Sequence, residues 1–435
     1  MASTALKNIL LGLVAAAILA AMTAMALSSR LNVHPDELDH INAGRYFIEY
    51  WDFPALDDPR LANTFSNYGV TYLQQLDVVY CFAGKFARLV LPMAGKDYIA
   101  LRFFNIFLFA VLMGLFLRLP DNRKIAFLPL FISPQLWYIF SYFNGDAFPL
   151  FLSFCMVYAV ARLDPPVQPI VLTFRDRNTR CLLFLGVMLG LICISKQNYY
   201  VFAAFTAAFF GVCGLAAGNL KAAAKNAAVI FVLAGMLFAG RWGYNVYVNR
   251  TVRPELPTQN AEKYARQDYK PSAQVAGTQF WGLRMREQGL TYPQLFTLWT
   301  WHIWSFRTSF GVYDYMKIYA PFLYYRYMGY LLWTLMGALA VALVMHGGPG
   351  GSMAVFVFVV FAGLTVFQST WHSWNTDFQA QGRYLFPIAA MGGMVLARFA
   401  KAVNRTLPVT ATVAAAMLAM SFYSFLWVGL DQIPK

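Results

Sequence analysis

Long apolar runs separated by short polar turns set the pattern of this chain, and eleven of them predict spanning helices near residues 8–28, 99–117, 125–141, 147–163, 181–195, 199–217, 225–247, 321–345, 353–370, 384–400 and 407–428. Runs approaching about 20 residues suit the ~30 Å hydrocarbon core of a bilayer. The short alternating segments of a transmembrane barrel are absent. The first run, from Ile9 to Leu27, is longer than a signal-peptide core. It is read as an uncleaved helix, although "AMALSS" offers a possible cleavage site. Residues 71–93 nearly form another span, but Gln74, Asp77, Cys81, Lys85 and Arg88 make a polar stripe opposite Leu76, Val79, Ala83, Phe86 and Val90. That pattern predicts an amphipathic helix lying in the membrane interface.

The positions of Lys and Arg in short loops orient the bundle. "RLPDNRK", the segment from Arg162 to Arg180, "NLKAAAKN" and "ARFAKAVNR" are basic, which places them and the N-terminus in the cytoplasm. The outer side then carries two large loops, 29–98 and 248–320. The expected organisation is a first transmembrane module at 1–247 that includes loop 29–98, the outer loop 248–320, and a C-terminal transmembrane module at 321–435. The expected class is an all-α integral membrane protein.

Composition agrees with the pattern: 59% of the 435 residues are hydrophobic and only 12% are charged, too few for a soluble domain's surface. The net charge of +14 is spread along the chain without a compact basic domain, which favours anionic lipid and phosphate over nucleic acid as partners. Five scattered cysteines show neither metal spacing nor a disulfide framework. No H-E-x-x-H pair, P-loop or dinucleotide glycine fingerprint occurs, so no metal is assigned and a nucleotide-driven pump is disfavoured.

Ionisable residues collect on one predicted side. "LNVHPDELDH" follows the first run and brings Asp36, Glu37, Asp39 and His40 to the membrane boundary. Arg102 opens the second span, Asp146 lies between the third and fourth, Lys196 between the fifth and sixth, Arg307 precedes the eighth, and Arg383 with Tyr384 opens the tenth. Such groups are costly at membrane depth unless they face a cavity or a partner. For each there is a plain structural role. Asp36 and Glu37 suit a helix start after Pro35, Asp146 suits a helix cap, and the cations suit snorkelling. The chemical alternative gathers them in one outward cavity. Asp36 would act as general base, with His40 one turn away to pair with it or help bind an acceptor. Asp146 would bind acceptor, sugar or a divalent ion. Lys196, Arg307 and Arg383 would hold a phosphate leaving group. His34 reads as a loop residue. His302 and His372 sit in the Trp-rich stretches "WTWHIW" and "WHSWNTD", which suit interfacial packing or a carbohydrate-stacking platform.

These residues resemble the GT-C superfamily of membrane glycosyltransferases, which take sugars from polyprenyl-phosphate carriers. "HPDELDHINAGRYF" looks like its acidic pair in the first outer loop, and "YIALRFFN" is similar to the Arg-bearing start of the next span. A closer resemblance is to the bacterial membrane family catalogued as domain of unknown function 2142. It rests on Pro35-Asp36-Glu37 with His40, Asn144-Gly145-Asp146-Ala147, Phe310-Gly311-Val312-Tyr313-Asp314 and Gln381-Gly382-Arg383-Tyr384. The resemblance implies a GT-C-like bundle with outer juxtamembrane helices in a bacterial cytoplasmic membrane, its active site facing the periplasm. It implies Asp36 as catalytic base supported by Glu37. Asp39, His40, Asp146 and His372 would contact acceptor or sugar, and Arg102, Lys196, Arg307, Arg383 and Tyr384 the lipid phosphate. The donor would be a polyprenyl-phosphate sugar and the acceptor a cell-envelope glycan or lipid, such as a lipopolysaccharide component, with inversion at the anomeric carbon. The large soluble C-terminal domains of some superfamily members are absent, which favours glycan over protein acceptors. Competing readings are a flippase or transporter for a lipid-linked glycan, a glycan ligase or polymerase, and an inert lipid-phosphate-binding scaffold. The absence of an internal repeat and of midplane charges weighs against a transporter.

Overall fold

The computed structural model describes residues 2–163 and 176–435, so most of the basic segment between Arg162 and Arg180 lies outside the described residues. Apart from one two-stranded pairing, the chain is helical wherever its described residues form regular secondary structure. In order it forms α1 (Ala2–Ser28), α2 (Glu37–Glu49), α3 (Val79–Ala94), α4 (Asp97–Leu117), α5 (Pro129–Ile132), α6 (Pro134–Ser141), α7 (Ala147–Arg162), α8 (Arg177–Cys193), α9 (Tyr200–Ala216) and α10 (Leu220–Val248). The loop segment adds the short helices α11 (Leu256–Tyr264), α12 (Pro271–Val275), α13 (Gln294–Thr297) and α14 (Trp301–Ser309). Strands β1 (Val312–Tyr313) and β2 (Ile318–Tyr319) pair antiparallel, with Val312 opposite Tyr319. The chain closes with α15 (Phe322–His346), α16 (Gly348–Asn375), α17 (Phe386–Arg398), α18 (Ala400–Val403) and α19 (Leu407–Tyr423).

Among the described residues seven segments, not the eleven expected, are long and apolar enough to cross a bilayer: Leu6–Ser28, Asp97–Leu117, Gln197–Ala216, Leu220–Val248, Phe322–His346, Gly348–Asn375 and Ala400–Leu430. The protein is a multi-pass membrane protein with about seven candidate spans. The other four apolar runs fall short for local reasons. Pro129 and Pro134 break the run at 125–141 into α5 and α6, since proline cannot continue the helix that precedes it. α7 has 16 residues, α8 has 17 and α17 has 13. At 1.5 Å per residue, even α8 reaches only about 26 Å. These short helices are interior elements: α7 and α17 are buried along most of their length, whereas α10, α15 and α16 leave much of their apolar surface outward. An apolar run therefore marks burial, either in lipid or inside protein, and length decides which.

One hydrophobic core runs from Ala15 on α1 to Ile433 near the C-terminus, so the first and last transmembrane segments pack as a unit. Residues 71–93 form a 3-10 turn (Tyr72–Gln74) and the 16-residue α3, which is not a candidate span. α3 presses against α2 where a β-carbon on Gly84 would lie 2.6 Å from the Phe47 carbonyl carbon. That contact turns Tyr80, Ala83, Gly84 and Ala87 inward and leaves Leu89 and Met93 exposed. The buried stripe is thus rotated from the face expected from hydropathy. Residues within 285–304 and 366–385 build a second, smaller core around Met285, Leu295, Trp301 and Ala380. It absorbs most of the tryptophan-rich stretches: Trp301 Nε1 donates to Ser373 Oγ at 3.0 Å, Trp374 Nε1 to the Leu290 carbonyl at 2.8 Å, and Trp299 stacks on Trp281.

Candidate functional site

The adjacent acids Asp36 and Glu37 part company. Asp36 stands before α2 with φ +58°, a left-handed conformation that Asp tolerates better than most residues. Its side chain makes no cap to α2 and faces Arg383, whose Nη2 donates to Asp36 Oδ2 at 3.0 Å across 347 positions of sequence. Glu37 points the other way, into α4, and takes two bonds from Arg102, at 2.7 and 2.9 Å. Both of those side chains are fully buried. Arg102 gives its remaining donors to the carbonyls of Ala26, Ser29 and Arg30. All five N–H groups of the guanidinium are then engaged. This corrects two expectations. Arg102 has no donor left for a lipid phosphate, and Glu37 has no exposed atom for a substrate. The pair clamps the end of α1 to α2 and α4.

Asp146 precedes α7, but Asn144 supplies the cap there: its Oδ1 accepts from the amides of Asp146 and Ala147 at 2.9 and 3.1 Å. The Asp146 carboxylate is thereby released into the site. Its Oδ1 takes a very short bond from Lys196 Nζ, and its Oδ2 lies 3.6 Å from Arg383 Nη1. Asp36, Arg383, Asp146 and Lys196 therefore form one chain of alternating charge. Burial pushes the Asp36 carboxyl up, but Arg383, and more weakly Lys196, outweigh it and hold Asp36 below the ordinary carboxylate range. Asp146 follows the same balance, with Lys196 and Arg383 outweighing burial. Burial, and then the neighbouring Asp36 charge, pushes Asp39 up to about 6.

Two cavities flank this chain. The larger, of about 950 Å³, is lined by Lys196, Tyr384, His372, Trp371, Asp77 and Gln368 among others. The smaller, of about 190 Å³, is lined by Asp36, Arg383, Gln135, Asp377 and the rings of Tyr68, Tyr142, Tyr269 and Phe280. Gln379 touches both. The turn Gly382–Leu385 divides them, and it is drawn tight against α14, because a β-carbon on Gly382 would sit 2.5 Å from the Ser309 amide nitrogen. Gly382 N–H donates to Thr308 Oγ1 at 2.7 Å, which fixes the turn that aims Arg383.

His40 is buried beside the cluster, stacks on Tyr72 and shares a 2.7 Å hydrogen bond between Nδ1 and the Tyr80 hydroxyl. Burial holds it down to about 3, so it is neutral at pH 7 and available as a hydrogen-bonding group. His34 lies in the loop between α1 and α2, as expected, but it is fully buried there, bonded to Ser29 Oγ and Tyr138 Oη, and burial holds it well below the usual histidine range. His372 lies with Lys196 in the larger cavity, not with Asp36 in the smaller one. Arg307 is not drawn in. It lies over the rings of Trp304 and Tyr325 and forms no ion pair among the described residues. Arg383 lines the smaller cavity between two carboxylates, whereas Tyr384, the next residue, lines the larger.

Several site residues escaped the sequence reading. Asp77, seen there only as part of an interfacial stripe, lines the larger cavity, and burial pushes it up to about 8. Asp377 is buried and bonded by Tyr68 Oη at 2.8 Å and by Gln379 Nε2 at 2.6 Å. Arg241 stacks over Phe53 at 4.0 Å and donates to the Gln75 carbonyl. A signal for Arg241 was present, since it interrupts an apolar run and intramembrane cations mark sites by default. Among the described residues no group of three or more His, Cys, Asp and Glu side chains is gathered to hold a metal ion. No protein-family model matches the chain, and no curated protein matches it.

Proposed function

We propose that this chain is an inverting glycosyltransferase of the GT-C type, related to the domain of unknown function 2142 family. It moves a sugar from a polyprenyl-phosphate carrier to a cell-envelope glycan or lipid on the outer side of a bacterial cytoplasmic membrane. The observation that carries this reading is the charge chain from Asp36 to Lys196, with a cavity at each end. A sugar-phosphate needs a cation at its phosphate and a base at the incoming hydroxyl, held a few ångströms apart and shielded from bulk water.

In this reading the acceptor hydroxyl enters the smaller cavity, where Asp36 is the most exposed member of the ion-pair chain, at 34% of its side chain. Its proton passes to Asp36 as the hydroxyl oxygen bonds to the anomeric carbon from the face opposite the phosphate. The bond from that carbon to the phosphate oxygen breaks, and its electron pair leaves with the polyprenyl phosphate. Lys196, one-quarter exposed in the larger cavity and with one of its three protons given to Asp146, offers its charge to that phosphate. Arg383 holds Asp36 in place and ionised, and Asp146 balances the two cations. Arg383 and Asp146 are thus positioning residues, while Asp36 and Lys196 touch the reacting groups.

The experiment is a mass-spectrometric glycan profile of cells with and without the gene. Loss of a single sugar residue supports transfer. Loss of whole glycan chains favours the flippase or ligase alternatives, and an unchanged envelope refutes the assignment.

A further inference from the structure

A third space lies within the membrane-spanning part of the molecule. It is a groove of about 620 Å³ between α15, α16, α17 and the broken helix pair α5–α6. Its walls are hydrocarbon, as at Leu335, Leu339, Val355 and Leu396. Its end nearest the charge chain is lined by Ser309, Phe310, Leu385 and Phe386. These residues continue directly from Thr308 and from Gly382–Arg383, which line the smaller cavity. The turn that bears Arg383 thus touches all three spaces: Gly382 and Arg383 the smaller cavity, Tyr384 the larger one and Leu385 the groove. Gly382, which lines the smaller cavity, lies directly against Ser309, which lines the groove, so the two spaces adjoin at this contact.

The larger cavity has an apolar flank of its own at Val201, Leu364 and Phe367, beside Lys196. A carrier whose phosphate rests at Lys196 therefore has a route for its chain that does not use the groove. Resting on the proposed glycosyltransferase reading, we propose that the groove seats the hydrocarbon chain of the acceptor. The acceptor is then a membrane lipid, or a glycan still attached to one, and the sugar passes from lipid to lipid. Its polar end rises beside Leu385 toward Asp36, while its chain stays between α15 and α17, both within or beside candidate spans. A soluble acceptor would make no use of a hydrocarbon slot leading to the base.

The test uses the full chain in native membranes with a benzophenone amino acid placed at one of three positions. Ala340 lines the groove, Val341 is 57% exposed outside it, and Leu364 lines the larger cavity. After irradiation the lipid adducts are identified by mass spectrometry. The expected result is a glycan-bearing or sugar-accepting lipid at Ala340, enriched about tenfold over Val341, and prenyl phosphate at Leu364. The same bulk phospholipids at Ala340 and Val341, or prenyl phosphate at Ala340, overturn the inference.

Groove-filling variants give a second readout. A β-carbon on Gly337 meets no atom within 4 Å, and one on Gly392 meets only the Phe358 ring, at 3.6 and 4.0 Å. Gly337→Phe and Gly392→Phe, each compared at matched membrane abundance, are expected to lower sugar transfer about tenfold while prenyl-phosphate capture at Leu364 persists. Full transfer in both variants overturns the lipid acceptor. If Asp36→Asn abolishes transfer while the groove variants keep it, only this inference falls. If Asp36→Asn itself transfers normally, the glycosyltransferase reading falls with it.

Discussion

Replacing Glu37 with Gln removes one charge from a pair in which neither side chain is exposed. The Arg102 guanidinium stays buried, with three of its bonds still made to the carbonyls of Ala26, Ser29 and Arg30 and two now directed at a neutral amide. Removing one partner of a buried ion pair typically costs about 3–5 kcal/mol, because the survivor's desolvation is no longer offset. Since this pair joins α1, α2 and α4, the expected effect is a lower unfolding temperature in detergent and less protein in the membrane. Activity per folded molecule should survive. The double variant Glu37→Gln with Arg102→Met should recover part of the loss, as a coupled pair does in a double-mutant cycle. The informative assay pairs thermal unfolding, followed by loss of the monodisperse size-exclusion peak, with transfer normalised to folded protein. A Glu37→Gln protein that unfolds like wild type but transfers no sugar would refute this reasoning and return Glu37 to the chemistry.

Lys196→Met should weaken capture of prenyl phosphate in the larger cavity, and Lys196→Arg should restore part of it, as read by the same photochemical adduct at Leu364. Gly382→Ala places a β-carbon within 2.6 Å of Ser309 backbone atoms and must displace the turn that aims Arg383, so transfer should fall at least tenfold, roughly, at unchanged expression. His40 is held down to about 3 against an ordinary 6.5, so the unfolded chain binds the extra proton between those values. Its contribution to stability is present above pH 6.5 and is lost as pH falls toward 3. The stability difference between wild type and His40→Gln should therefore shrink in that window, measured by denaturation at a series of pH values. Asp39 has the opposite sign. With its carboxyl pushed up to about 6 from 3.8, it disfavours the folded state increasingly as pH rises through that range, so Asp39→Asn should gain stability over wild type at pH 7.5 but not at pH 3.5.

The membrane class of the protein was plain from hydropathy, but the number of spans was not. The runs at 147–163 and 384–400 are comparable in apolar character to the candidate spans, yet they fold as the short interior helices α7 and α17. A buried helix and a lipid-facing helix exclude water alike, so only length and the surrounding partners tell them apart. The gathering of Asp36, Asp146, Lys196 and Arg383 was legible, because ionisable side chains beside apolar runs need a shared polar site. Their division of labour was not. Asp36 and Glu37 are neighbours with the same chemistry, and it takes the left-handed backbone at Asp36 to send one toward the cavity and the other into Arg102. Asp146 looked like a helix cap, but Asn144 holds that position, an exchange between adjacent polar residues that spacing alone does not resolve. Asp377 and Tyr68 meet from opposite parts of the sequence, so neither signals the other.

The most direct test of the central claim places Asp36→Asn in cells that lack the wild-type gene and compares their envelope glycans by mass spectrometry with those of wild type and of the deletion. The Asn side chain keeps the shape of Asp and tolerates the left-handed backbone, but it cannot accept a proton at neutral pH. The expected result is a glycan profile that matches the deletion, lacking the same single sugar residue, from a protein present in the membrane at wild-type level. A wild-type profile from that variant would contradict the assignment of Asp36 as the base.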